Sequence, residues 1–290
     1  MAKRDGNATC RGFNSRWEFQ FGVVIRGAET YKRGRQSPLS MITRIAVTGA
    51  KGRMGQAIQQ CVKGDARFEV VAAVDRNEPL APHLQRGVVI VDFSSHLATP
   101  AFAEAAIAKG CPMVIGTTGF TYAERGAIAA AAKNIPIVLA PNMSVGVNLL
   151  FILTQVAASV LKEHFDVEII EKHHRMKKDA PSGTAARLAE LVAQAKGQHA
   201  AKLVRHGRYG DLGARTDAEI GVHSVRGGGY VGDHEVIFAS PEEVVGISHH
   251  ACSREIFAKG ALLAAKWVEG MPAGLYDMPD VLGLQVSQPL

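Results

Sequence analysis

Three glycines at positions 49, 52 and 55 stand between a short apolar run and a helical pattern, and this unit constrains the fold more than any other stretch. Residues 42–48, ITRIAVT, read as a strand, and residues 56–63 read as a helix with Ala57, Ile58, Cys61 and Val62 on its apolar side. In a nucleotide-binding turn the glycines do separate jobs. One allows the tight bend, another admits a pyrophosphate to the backbone, and the last lets the helix pack on the strand. Free N–H groups at the helix start would then hold negative phosphates. The spacing is GxxGxxG rather than GxGxxG, so the glycines alone decide little.

The next strand adds weight. Residues 69–74, EVVAAV, end at Asp75, twenty residues beyond Gly55, where a carboxylate can accept from adenosine ribose hydroxyls. By itself Asp75 would pass for a solvated turn acid; with the glycines it indicates a dinucleotide site. Asp75 would repel a 2′-phosphate, whereas Arg76 or Arg53 could pair with one. NADH and NADPH therefore both remain, with NADH mildly favoured.

Strand and helix patterns keep alternating. Residues 88–93, VVIVDF, suit an interior parallel strand. An Ala-rich helix follows over 97–109, then a strand over 112–115 that delivers Gly116, Thr117, Thr118 and Gly119. A helix over 123–133 and a strand over 135–139 lead to Ala140, Pro141, Asn142 and Met143. Open parallel sheets place ligands at the carboxyl ends of strands. These loops could be ordinary turns; after a nucleotide turn they read as walls of a nicotinamide pocket.

Beyond Gly146 an apolar stretch to about residue 165 reads as a helix, and residues 166–170 as a strand. Residues 171–185, EKHHRMKKDAPSGTA, then bring two histidines and four basic residues to a small-residue turn. Lys and Arg usually face water, so a solvated loop is the plain reading. A helix over 183–195 changes that, because the N–H groups of Gly183 and Thr184 beside the Ser182 hydroxyl make a carboxylate site. With charge from His174 and Lys177, the arrangement asks for a small dianionic substrate.

Charge distribution argues against nucleic acid. Residues 1–40 hold eight Lys/Arg against three Asp/Glu, hence +5 of the net +6, and the body is near neutral. That segment is read as an extension outside the native fold, with Met41 as the natural start. No stretch is apolar enough for a membrane span. Cys10, Cys61, Cys111 and Cys252 lie far apart, which fits a reducing compartment and hence the cytoplasm. His249 and His250 lack partners at metal-ligand spacing, so no metal is expected. His206, Arg208 and Arg215 suggest a mobile loop over the site or at a subunit contact. Residues 226–234, RGGGYVGDH, look like a flexible connection.

The chain resembles the 4-hydroxy-tetrahydrodipicolinate reductases (dihydrodipicolinate reductases) of lysine biosynthesis, from residue 42 to about 284. The likeness rests on GAKGRMG at 49–55, DFSS at 92–95, GTTGF at 116–120, APNMSVGVN at 140–148 and, most specifically, residues 171–185. Residues 220–238 and 247–267 match as well. The resemblance implies a Rossmann-like nucleotide-binding domain plus an α+β substrate domain whose open mixed sheet builds a homotetramer. It divides the chain into 41–144 with 254–290, and 145–253. It also implies that His173 donates or accepts a proton, that Lys177 donates one, and that His174, Gly183 and Thr184 contact substrate. Cofactor contacts would fall on Gly49, Ala50, Lys51, Gly52, Arg53, Met54, Asp75, Gly116, Thr117, Thr118, Ala140, Pro141, Asn142 and Met143, with Arg76 and Arg254 nearby.

Departures from the family pattern include a short interval between Asp75 and Asp92, His96 in place of Pro, an added Lys178, and Asp75 where Glu is common. A different two-domain oxidoreductase, such as an aspartate or amino-acid dehydrogenase, would share residues 49–55 but need not carry HHRMK before DAPSGT. A redox sensor would need no proton donor beside a dianion site.

Overall fold

The computed structural model describes residues 23–25, 42–161 and 164–286. Most of the segment 1–40, and Met41, lie outside the described residues. Within that segment, Val23–Ile25 (β1) pairs antiparallel with Leu284–Val286 (β13). The expectation that residues 1–40 stand apart from the fold otherwise concerns residues outside those described. A β-branched VVI run suits a strand, and the far end of the chain supplies its partner.

A six-stranded sheet carries the first half. Its strands are Thr43–Thr48 (β2), Phe68–Val74 (β3), Val88–Asp92 (β4), Met113–Ile115 (β5), Pro136–Leu139 (β6) and Gly274–Tyr276 (β12). They lie in the order β12-β6-β5-β4-β2-β3 with every pairing parallel. Side chains alternate between the faces. Ile45, Val47, Val89 and Val91 face helices Arg53–Lys63 (α1), Glu255–Val268 (α7) and Met278–Leu282 (α8). Ala46, Ile90, Met113 and Ile115 face Thr99–Lys109 (α2) and Tyr122–Ala131 (α3). Burial on both faces explains the unbroken apolar runs, each fully buried Val or Ile contributing ~1.5–3 kcal/mol.

Helix α7 lies close to the loop after β6. A Cβ at Gly260 would fall 1.8 Å from the Met143 carbonyl oxygen, so only glycine permits this approach. The helix closes the first core although it is built from the far end of the chain.

The second sheet is mixed, in the order β11-β10-β7-β9-β8. Its strands are Asp166–His173 (β7), Val204–His206 (β8), Ile220–Arg226 (β9), Asp233–Ala239 (β10) and Val244–His250 (β11). One face packs against Val145–Leu161 (α4) and Gly183–Ala195 (α5) through Val167, Ile169, Val222, Val236 and Phe238. Near the start of β7, Arg208 grips Glu168 and Glu219, while Arg215 binds Asp166 and Glu168. The Arg208–Arg215 segment, read from sequence as a mobile loop, is thus tied to the sheet by ion pairs.

Candidate active site

The turn between β2 and α1 is set by backbone crowding. Gly49 has φ +70°, and a Cβ there would lie 2.4 Å from the Phe93 carbonyl oxygen. A Cβ on Gly55 would lie 2.3 Å from the Gly49 oxygen. Helix α1 begins at Arg53, three residues before the expected start, with Gly52 as a cap that offers no side chain. Arg53 and Met54 therefore occupy the first turn, where N–H groups have no acceptor within the helix. Asp75 accepts from the N–H groups of Lys51 (2.8 Å) and Arg76 (2.8 Å), and these hold its pKa below the ordinary value. The Lys51 ammonium binds Glu78, which also accepts from the Asp75 N–H. A narrow glycine turn, an uncapped helix start and a carboxylate at the next strand fit a dinucleotide. Arg53 and Arg76 are exposed beside it.

Asp92 joins this turn to the next loop. It is fully buried at the end of β4 and accepts from the hydroxyls of Thr48 (2.6 Å), Ser94 (2.5 Å), Thr99 (2.6 Å) and Thr117 (3.1 Å). The strand order reverses between β2 and β4, so the cluster sits at the topological switch point. The Thr117 hydroxyl also accepts from the Ser94 N–H, and Thr118 and Gly119 are the exposed members of their loop. Ala50, Ala140 and Met143 are buried, and the N–H groups of Ala50 and Ala140 are bonded to the Val74 and Ile115 carbonyls.

The 171–185 segment is more ordered than its composition suggests. Strand β7 runs through His173 rather than ending at Ile170, because its pairing continues to Arg226 of β9 and Lys172 faces Asp233 of β10. The His173 Nδ1 lies 2.5 Å from Glu171 Oε2. Glu171 is fully buried; Arg226 donates to both of its oxygens, at 2.6 and 2.9 Å, and the Ser182 N–H donates at 3.1 Å. Burial would raise the Glu171 pKa, but hydrogen bonds from Arg226, Ser224 and His173 outweigh it and bring it to about 2. Burial lowers the His173 pKa, against the raising effect of Glu171.

Ser182 caps α5 by accepting from the Ala185 N–H at 3.1 Å. The N–H groups of Gly183 and Thr184 have no acceptor within the helix, which leaves the expected carboxylate cradle. Asn142 Nδ2 donates to the Thr184 hydroxyl at 3.2 Å, joining the loop after β6 to this cradle. Lys177 is ion-paired with Asp179 at 2.9 Å, and the His174 N–H is bound to the Tyr230 carbonyl. Arg254 is exposed at the start of α7.

His234 lies edge-on to His173, with ring centroids 5.3 Å apart, and its Nε2 is 3.0 Å from the Ser182 hydroxyl. Its Nδ1 is buried without a hydrogen-bond partner, and burial brings its pKa from 6.5 to about 3. Below pH 6.5 the unfolded chain takes up a proton that folded His234 refuses, so stability falls with acidity, by up to ~1.4 kcal/mol per pH unit. Glu171 acts in the same direction lower down, since its stabilisation is lost as pH falls from 4.5 towards 2. His234→Gln is expected to lose roughly 2 kcal/mol less stability than the unaltered chain between pH 6.5 and 5. Urea midpoints at the two pH values test this; equal losses would refute it.

Two family descriptions cover most of the chain. "Dihydrodipicolinate reductase, N-terminus" matches residues 43–143, and "Dihydrodipicolinate reductase, C-terminus" matches residues 146–282. The chain belongs to the dihydrodipicolinate reductase family. A 4-hydroxy-tetrahydrodipicolinate reductase from Thiobacillus denitrificans is 46% identical over 267 residues, covering 84% of this chain and 100% of the relative. One from Akkermansia muciniphila is 50% identical over 240 residues, covering 83% and 98%. A dipicolinate-bound dihydrodipicolinate reductase from Paenisporosarcina sp. TG-14 superposes with a TM-score of 0.66 at 26% identity, over 82% of this chain and 98% of that one. GenD2 from gentamicin A biosynthesis, in complex with NAD, shares the fold at a TM-score of 0.53 and 15% identity, over 86% and 93%. The Rossmann-like α/β first half and the mixed-sheet second half are those of the dihydrodipicolinate reductases.

Three residues around His173 lie in stretches that match the family yet receive no role from the sequence. Glu171 passes for one more charge in a charged run. Arg226 and His234 lie in a glycine-rich stretch that suggests flexibility, yet they end β9 and begin β10. A strand-like alternation at 233–239 is the one signal that could have placed His234. His249, read as ordinary packing, lies against Gly146, and His250 pairs with Asp233 at 3.1 Å. A cavity of 640 Å³ between α1, α7 and the start of α4 contains none of the expected site residues. Among the described residues, no group of three or more His, Cys, Asp or Glu could hold a metal ion. No described helix is long and apolar enough to cross a membrane.

Proposed function

We propose that this protein reduces 4-hydroxy-tetrahydrodipicolinate to tetrahydrodipicolinate with release of water, in lysine and diaminopimelate biosynthesis. The observation that carries this reading is the Asn142–Thr184 contact, which ties the loop after β6 to the carboxylate cradle of α5. The cofactor is NADH or NADPH, with NADH mildly favoured by the carboxylate of Asp75. It would be held by the turn from Gly49 to Met54, by Asp75, and by the loops at Gly116–Thr118 and Ala140–Met143, with Arg76 and Arg254 at the margin. When bound, the reduced nicotinamide supplies the hydride.

The remaining chemistry belongs to the chain. The N–H groups of Gly183 and Thr184 hold one substrate carboxylate, beside the Ser182 and Thr184 hydroxyls. His174 and Lys177 attract the dianion, and a substrate carboxylate competes with Asp179 for the Lys177 ammonium. Doubly protonated His173 delivers a proton from Nε2, the nitrogen not bonded to Glu171, to the ring atom beside the reduced carbon and is left neutral with its proton on Nδ1. Lys177 is a second proton source. Residues 41–144 with 254–290 form the nucleotide-binding domain, and 145–253 the substrate domain. The open mixed sheet, with β11 at its edge, assembles a homotetramer in the cytoplasm.

A coupled assay tests the activity. Aspartate semialdehyde, pyruvate and the preceding synthase generate substrate while NADH and NADPH oxidation are followed separately; no oxidation of either would overturn the proposal. Thr184→Val is expected to raise the substrate KM about 5- to 10-fold with little change in kcat, because one hydrogen bond to a carboxylate is lost. An unchanged KM would count against the cradle.

A further inference from the structure

We infer that Glu171 is the positioning residue of this site: gripped by Arg226, its carboxylate keeps the His173 proton on Nδ1 and couples that ring to the turn that starts α5. The inference rests on the reading of His173 as the group that handles the proton.

Three segments converge on one carboxylate. His173, two residues along β7, approaches Oε2. The Ser182 N–H, at the cap of α5, donates to Oε1. Arg226, at the end of β9, donates to both oxygens and also to the Asp179 carbonyl, spanning the base of the loop that carries Lys177. Glu171 has no exposed surface, so water cannot take the place of a lost partner.

The consequence for His173 follows from donor and acceptor rules. A carboxylate accepts and does not donate, so the nitrogen facing it must carry hydrogen. Neutral His173 therefore has its proton on Nδ1 and its lone pair on Nε2. Nε2 points towards Gly232, where an added Cβ would lie 3.1 Å away, so glycine keeps the approach to that nitrogen open. The same carboxylate orders Ser182, whose hydroxyl caps α5 and meets His234. Imidazole and carboxylate cradle are held by one side chain, so a shift of Glu171 would misplace both.

The surrounding charges assign Glu171 a second effect. Arg226, Lys177 and the ring of His234 face His173, and both cations work with burial against its protonation. Glu171 is the group that opposes them. Without its charge, His173 would hold a proton only at lower pH.

Nitrogen NMR of the full-length protein with ring-labelled histidine, assigned against His173→Gln, reads the tautomer directly and needs no change at Glu171. Above the His173 pKa, the proton is expected on Nδ1; a proton on Nε2 would overturn the inference. Glu171→Gln is expected to lower kcat about 10- to 100-fold, as loss of a group that orients a reacting side chain typically does. The pH at which its rate falls on the alkaline side should move down, while cofactor affinity by fluorescence titration stays unchanged. A kcat and pH profile equal to those of the unaltered chain would also overturn it. Should Glu171→Gln fail to fold, the tautomer in the unaltered protein decides. Failure of the unaltered chain to reduce substrate would remove the proton-transfer reading instead, and the tautomer measurement distinguishes the two.

Discussion

His173→Ala is expected to lower kcat by roughly 10²-fold or more, the range typical for a lost acid–base group. The ring is buried at the end of β7 and oriented by Glu171, so no neighbouring water inherits its place without reorganisation. Lys177, the second proton source under the proposed function, has its ammonium paired with Asp179. The nucleotide turn from Gly49 to Met54 belongs to the other sheet, so affinity for NADH should be unchanged. Steady-state kinetics with an NADH titration separates the two quantities. Near-normal turnover would remove His173 from the role, and a large loss of NADH affinity would mean that the substitution disturbs more than the proton.

Gly260→Val is expected to destabilise the protein by roughly 3 kcal/mol, at the upper end for overpacking a core. The clash is with backbone, 1.8 Å from the Met143 carbonyl oxygen, so no side-chain rotation relieves it. Either α7 lifts from the sheet, opening contacts with Val91, Val114 and Val138, or the loop carrying Asn142 and Met143 is displaced. The second route reaches the site, because Asn142 Nδ2 is bonded to Thr184. Both a lower thermal midpoint and weaker cofactor binding are therefore expected. A variant that melts and binds cofactor as the unaltered chain does would show that the close approach has no role.

Elements buried on both faces were the most legible in the sequence. A parallel strand such as β4 must be apolar along its length, and VVIVD says so without knowledge of its neighbours. The glycine turn was legible because crowding there leaves no room for a side chain. The boundaries were less so: α1 starts earlier and β7 runs further than the local pattern implies, since the pairing of β7 with β9 decides where it ends.

Long-range partnerships were not legible. Arg226 lies 55 residues from Glu171, and His234 lies 52 from Ser182, so only the register of β7 between β9 and β10 makes them neighbours. Glycine inside a helix such as α7 costs ~1 kcal/mol relative to alanine, so Gly260 has no local reason to be there. Its reason lies in a carbonyl more than a hundred residues earlier. Ser94 and Thr99 lie close to Asp92 in sequence, but nothing local revealed that the hydroxyls of Thr48 and Thr117 meet there too.

The return of α7 and β12 to the first sheet bears on how the chain leaves the ribosome. Strands β2 to β6 emerge early, but the helix that covers Val47, Val91 and Val138 is made after the whole second sheet. At the usual ~5–20 residues per second, that face of the early strands has only α1 to cover it for several seconds or longer. The half synthesised second can therefore finish folding before the half synthesised first. Chains that end at residue 253, once released from the ribosome, should carry a protease-resistant second sheet and a nucleotide-binding sheet that still recruits chaperones.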